Sequence, residues 1–330
     1  MNRSALSLIL LGVLALCVVL GVRFGSVPLS TGEVLAVLSG GGDAIARDIV
    51  IGLRLPRVLL GVLVGGGLAM AGATFQALLR NPLAEPYILG ISGGASVGAV
   101  MVLAMEWTVA GSWALPVAAF AGAILAIAMV FGVATATGRA MDVRVLLLAG
   151  VVVAAFFSAC IALILSVSTA RTVQGAVLWI MGSLAAANWR SVVLTAAYTL
   201  PAAVILIGLA RSLNLMAIGE ETAYYLGADV ERVKRGALLL AALITASGVA
   251  VAGVIGFVGL VVPHAVRLLS GSDHRALLPL SFLAGGTFLT LADLVARLTL
   301  APREIPIGVI TAFVGVPFFL LLLRRSLTAS

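Results

Sequence analysis

One lysine, two histidines, two cysteines and thirteen carboxylates are all that 330 residues contain of the usual reactive side chains. Cys17 and Cys160 both fall inside apolar runs, which rules out a disulfide framework and leaves no metal-ligand spacing. His264 and His274 have no carboxylate pair beside them. A metal site would therefore lack its ligands, and a membrane-embedded enzyme acting on lipid would lack its His/Asp/Glu cluster. No G-x-x-x-x-G-K-[ST] pattern exists, and the lone lysine, Lys234, follows Val233 rather than glycine. The chain cannot itself cradle ATP in a phosphate loop. Most apolar runs hold no carboxylate, so a secondary transporter driven by protons or sodium would lack its relay. Asp293 is the nearest candidate, and an i,i+4 pair with Arg297 accounts for it. The net charge of +7 rests on nineteen scattered arginines, without a basic face or an aromatic platform, which excludes nucleic acid as a partner.

What the chain has in quantity is hydrocarbon. It is 62% hydrophobic with a mean hydropathy of +1.23, more apolar side chain than a soluble core can hold. The economical solvent is a bilayer, and a spanning helix needs about 20 mostly apolar residues. Ten such runs can be read: 5–22, 58–79, 89–105, 113–137, 145–167, 191–210, 236–255, 256–269, 277–296 and 307–323. The alternating ten-residue pattern of a barrel strand is missing, so an all-α polytopic fold of about ten spans is expected. Arg3 followed by a long apolar run resembles a signal peptide, but no small-residue cleavage site follows, and a retained first helix is expected. With the N-terminus inside, twelve basic residues face the cytoplasm and eight face outward; Arg324 and Arg325, directly after the last run, strengthen that orientation. Both termini are then cytoplasmic, and residues 24–53 lie outside.

Charge is concentrated in one internal loop, where residues 219–235 hold seven of the chain's charged groups and its only lysine. Gly219 breaks the preceding chain, and Glu220 and Glu221 favour a helix N-terminus. Gly227 is placed to end a helix of about two turns, and Asp229 to cap the next. Tyr224, Tyr225 and Leu226 are apolar surface that a mere connector does not need. At the other side of the membrane, Arg54 and Arg57 flank Pro56 at a helix start, where positive charge opposes the dipole; an external acidic partner explains them, and so does snorkelling to lipid phosphates. Asn81 and Pro82, with Pro86 beyond, end the second run in a turn. Gly94 with Gly98, and Gly61 with Gly65, make small faces for close helix packing. Gly253, Gly256 and Gly259, with Pro263, interrupt the chain between runs seven and eight and read as close packing or a hinge.

Taken in order, several short stretches resemble the permease subunit of the type II ABC importers that take up ferric siderophores, haem and vitamin B12, the FecCD-type family. They are Arg54 to Arg57; Gln76 with Arg80 to Ala84; Pro86, Leu89 and Gly90; Gly94 and Ala95; Gly182 and Ser183; Gly256 to Leu260 with Pro263, His264 and Arg267; Leu291 to Asp293 with Arg297; and Glu304 to Gly308 with Gly315 to Phe318. The resemblance implies a single transmembrane permease domain over 1–330, working as a homodimer with the path along the two-fold interface. It implies that two separate ATPase subunits, which bind the ATP and magnesium, dock on a coupling region at 215–233 through Glu220, Glu221, Ala223, Leu226 and Gly227. It implies a periplasmic or lipid-anchored binding protein that meets Arg54, Arg57 and Arg297. Asn81, Pro82, Gly94, Gly98, Gly256, Gly259 and Pro263 would serve gating or helix packing in the bacterial cytoplasmic membrane. No cofactor or metal is expected on this chain, which is a transport subunit and not an enzyme.

Overall fold

The computed structural model describes residues 3–107, 113–136 and 142–328. Thr137 and Arg139, used in the span and orientation readings, lie outside them. The described chain is helical, with no strand. Its order is α1 (Arg3–Arg23), α2 (Thr31–Leu38), α3 (Ala44–Arg47), a π-helical stretch (Asp48–Arg54), α4 (Leu55–Leu78), a 3-10 turn (Pro86–Leu89), α5 (Ile91–Ala104), α6 (Ala114–Ala136), α7 (Val143–Ser166), α8 (Ala170–Ile180), α9 (Trp189–Gly208), α10 (Ala210–Ile218), α11 (Glu220–Tyr225), α12 (Val230–Ala252), α13 (Val258–Ser270), α14 (His274–Leu298) and α15 (Ile307–Thr328). Seven helical runs are long and apolar enough to cross a membrane, and three shorter apolar ones, within α5, α13 and α15, complete the ten expected.

The few polar residues sit where helices begin. Ser30 and Glu33 form a reciprocal capping box on α2, and Asp43, Asp142, Thr169, Asn188, Asp229 and Asp273 each accept a backbone N–H at the start of a helix. Asp273 also accepts from Asn214 Nδ2 at 2.8 Å and Arg3 Nη1 at 2.8 Å, tying α1, α10 and α14 together at one end of the bundle. The Asn214 amide, the Arg275 N–H and the Arg3 guanidinium hold its carboxyl down at about 2.

The centre of the bundle is α4, buried over most of its length between α14, α12, α13 and α9. In a bilayer no hydrophobic difference drives helices together, so contact depends on close approach. The glycines supply it: a side chain at Gly65 would strike the Gly285 carbonyl of α14, and one at Gly72 the Gly259 carbonyl of α13. In the same way Gly94 abuts the Gly122 carbonyl and Gly98 the Ala118 carbonyl, which fixes α5 on α6. Gly94, Gly98 and Gly259 are thus packing positions. The outer helices α1 and α7 leave most of their apolar surface uncovered.

The structure also holds elements that hydropathy does not reveal. Helix α8 is eleven residues long and carries Arg171 and Gln174, so it makes no apolar run of spanning length. Helices α2 and α3 lie in the 24–53 loop, and the π-helical stretch runs directly into α4.

Candidate functional site

Three places concentrate the polar chemistry. The first is the α10–α11–α12 turn. Gly219 separates α10 from α11, Glu220 and Glu221 occupy the first turn of α11, and Ala223 is its buried residue. The helix is six residues long, shorter than the two turns expected. Its end is closed by Gly227 N–H donating to Tyr224 O (2.9 Å) and Ala228 N–H to Ala223 O (3.0 Å), with Gly227 at φ +84°, a conformation that strains any other residue. Asp229 then caps α12 by accepting from Arg232 N at 3.1 Å. From α12, Lys234 reaches back and donates to Glu220 Oε1 at 2.6 Å, its own side chain only 3% exposed. The opposite surface is apolar and open: Tyr224 is 70%, Tyr225 78% and Leu226 61% exposed. A small charged helix, tied at its base to a long one, presents an uncovered aromatic surface.

The second place is the far end of the bundle. Arg54 is buried, and its guanidinium donates to the carbonyls of Val22 (3.0 Å), Arg23 (2.8 Å) and Val27. Arg57 donates through Nε and Nη2 to Asp293 (3.0 and 2.9 Å) and through Nη1 and Nη2 to Glu304 (2.9 and 2.8 Å). Arg297 Nε lies 3.0 Å from Asp293 Oδ2, an ion pair whose N–H does not point at the oxygen, while its other nitrogens donate to the Phe24 and Gly21 carbonyls. The expected Asp293–Arg297 pair is present, widened into a four-residue network. The three arginines are not free charges at the surface: Arg54 and Arg297 close the end of α1, where carbonyls have no helical partner, and Arg57 joins α4 to α14 and to the loop before α15. Arg57 holds the Glu304 carboxyl below the usual range, so this tie is intact above ordinary carboxylate values and is lost as pH falls through the lowered one.

The third place is the interruption after α12. Gly248 lies against Val64 and Gly259 against Gly72, so α12 overshoots and the chain returns along α4 through the non-helical residues 253–257. Irregular backbone at that depth needs partners for its polar groups. Tyr87 Oη donates to Ile255 O and accepts from Ile255 N–H, both at 3.1 Å. Glu85 Oε1 accepts from Phe257 N–H at 2.6 Å, and Phe257 is left-handed at φ +68°. Gln76 accepts from Arg267 Nη2 at 3.0 Å and donates to Gly259 O at 3.3 Å. The turn around Asn81 and Pro82, in which Asn81 Oδ1 accepts from Leu83 N–H at 2.9 Å, is thus followed at once by the two side chains that hold the break. Gly256 would bring a Cβ into ordinary contact with Glu85 Oε1, at 3.5 Å, and lines an apolar cavity of about 570 Å³ with Met181, Phe257, Gly308 and Phe313, whereas Gly259 meets the ring of Pro86. Pro263 lies inside α13, where it is buried.

Glu85 and Tyr87 went unnoticed in the sequence, although a carboxylate between Ala84 and Pro86 beside apolar runs was a signal. Tyr87→Phe should leave the Ile255 N–H and C=O without that partner and lower stability by about 1–3 kcal/mol. Thermal unfolding of the purified protein checks this, and an unchanged midpoint would refute it.

Bundle, glycine seams and interrupted helix together describe a polytopic helical membrane protein. Residues 13–325 match the model of the FecCD transport family, and the chain belongs to that family. It is 45% identical over 289 residues to the cobalamin import system permease protein BtuC of Halobacterium salinarum, covering 88% of this chain and 77% of that one. It is 41% identical to the hemin transport system permease protein HmuU of Yersinia pestis, over 84% and 83% of the two chains. A solved metal-chelate type ABC transporter in an inward-facing conformation superposes with a TM-score of 0.85 at 30% identity over 98% of each chain.

Proposed function

We propose that this chain is the membrane-spanning subunit of an ATP-driven importer for a metal chelate, a cobalamin, haem or ferric siderophore. Two copies enclose the path, and two separate ATPase subunits bind and hydrolyse the nucleotide. The observation that carries this is α11, an exposed aromatic and acidic helix on a chain with no phosphate loop of its own. ATP binding draws the ATPases together, α11 passes that motion to α12, and the bundle switches between packed arrangements. The cobalamin and hemin of the relatives' names share a large amphipathic character, and the apolar cavity at the α12–α13 break suits weak binding of such a molecule. A binding protein docks at the opposite end. Arg54, Arg57 and Arg297 serve that end as the frame of its surface, because their charges are already engaged within the chain. The orientation keeps α11 and both termini in the cytoplasm of a bacterial cell.

The test is purification of the tagged full chain from its native membranes in mild detergent, beside the Gly227→Trp variant. A side chain at Gly227 meets open space, so the strain is confined to its left-handed backbone, about 1–2 kcal/mol, while the indole covers the docking surface. The native chain should recover an ATPase at about one per permease, and the variant, extracted in equal amount, should recover about tenfold less, as expected for the loss of a central aromatic contact. Equal recovery from both would sink the assignment of α11.

A further inference from the structure

Helices α6 and α9 both pack on α12, and they leave a crevice between them that runs inward from the Arg57 end of the bundle. Its wide mouth, about 730 Å³, holds Trp113, Trp179 and Trp189, three of the chain's four tryptophans, together with Arg190. Trp189 is fixed by donating to Ile51 O at 2.9 Å. Arg190 is exposed, and no carboxylate pairs with it among the described residues. Below the mouth the crevice narrows to about 130 Å³ between Val117, Leu194 and Val251, and it is crossed by the stacked rings of Phe120 and Tyr198, 5.4 Å apart. Thr195 lines this narrow part, and its hydroxyl, fully buried, has no hydrogen-bond partner among the described residues.

We infer that this crevice is a binding site for one glycerophospholipid with an anionic headgroup. Indole rings at the end of apolar helices mark the level of the headgroups. At that level Arg190 offers a charge-assisted donor to a phosphate, with the tryptophans around it. The glycerol esters then lie at the depth where Thr195 holds an unused donor for a carbonyl oxygen. One acyl chain enters the apolar slot as far as the Phe120–Tyr198 stack, a slot too narrow for a bulky chelate. The lipid would wedge α6 and α9 apart over α12 and hold them in register. This site is separate from the cavity at the α12–α13 break and does not depend on which cargo the importer carries.

The test is native mass spectrometry of the full chain, purified with its partners in mild detergent and titrated with phosphatidylglycerol or phosphatidylcholine. One phosphatidylglycerol should be retained per chain, about tenfold more tightly than phosphatidylcholine, whose choline cation opposes Arg190 beside the same phosphate. Arg190→Gln should reduce that preference to about twofold or less. Val117→Trp, at a position 59% exposed and so outside the core, should abolish retention of both lipids while α11-dependent recovery of the ATPase persists. Equal retention of both lipids by the native chain, or unchanged retention in Val117→Trp, would mean only annular lipid and overturn the proposal. A retained mass of a metal chelate in place of lipid would overturn it too, as would an empty native chain.

Discussion

Asp293→Leu is expected to remove most folded protein from the membrane. The Asp293 carboxylate accepts from Arg57 and faces Arg297, and its side chain is 3% exposed against 12% and 4% for the two arginines. Taking it away leaves two buried guanidiniums facing each other across α4 and α14 with only Glu304 to offset them. Breaking a buried pair from one side costs about 3–5 kcal/mol, because the surviving charge keeps its desolvation penalty. Detergent extraction followed by size-exclusion chromatography reads the loss, and a monodisperse peak of native height would refute it. The double variant Asp293→Leu, Arg297→Met should recover part of the yield, since one of the stranded charges goes with the carboxylate.

Lys234→Met should have its large effect on transport and a small one on folding. The ammonium is buried, but its partner Glu220 is 35% exposed and can turn to water once the lysine is gone. What disappears is the tie between α11 and α12, the helix that packs on α4, α6 and α9. A coupling of about 1–2 kcal/mol, within the ordinary range for linked sites, corresponds to roughly a tenfold fall in transport per ATP hydrolysed. Reconstituted vesicles measure uptake and hydrolysis together. Exchange of the charges, Lys234→Glu with Glu220→Lys, should restore much of the coupling, and transport unaffected by Lys234→Met would reject the tie.

The legible parts of this molecule were those set by local chemistry. Gly227 and Asp229 needed only backbone geometry and capping to be assigned, and the ten apolar runs needed only the thickness of a bilayer. The α5–α6 seam followed from Gly94 and Gly98, although the partner helix did not. The arginines were harder. An arginine at a helix start reads as surface charge unless the orphan carbonyls of another helix are known to lie beside it, and nothing near Arg54 in sequence announces the end of α1 thirty residues earlier. Glu85 and Tyr87 were illegible for the same reason, since their partners, the backbone groups of Ile255 and Phe257, are about 170 residues away. Helix α8 was missed because it is amphipathic and short, a pattern that hydropathy alone assigns to a loop.

The break after α12 also has an arithmetic. Five residues wound as helix span about 7.5 Å, whereas the same five drawn out reach up to about 17 Å. The thirteen residues of α13 alone would fall short of a membrane's width, and the drawn-out segment makes up the difference. The length of this span is therefore set in part by non-helical backbone. Winding or unwinding a single turn at residues 253–257 would raise or lower α13 by several ångströms along its axis, like a screw with slack in its thread, with Glu85 and Tyr87 as the stops.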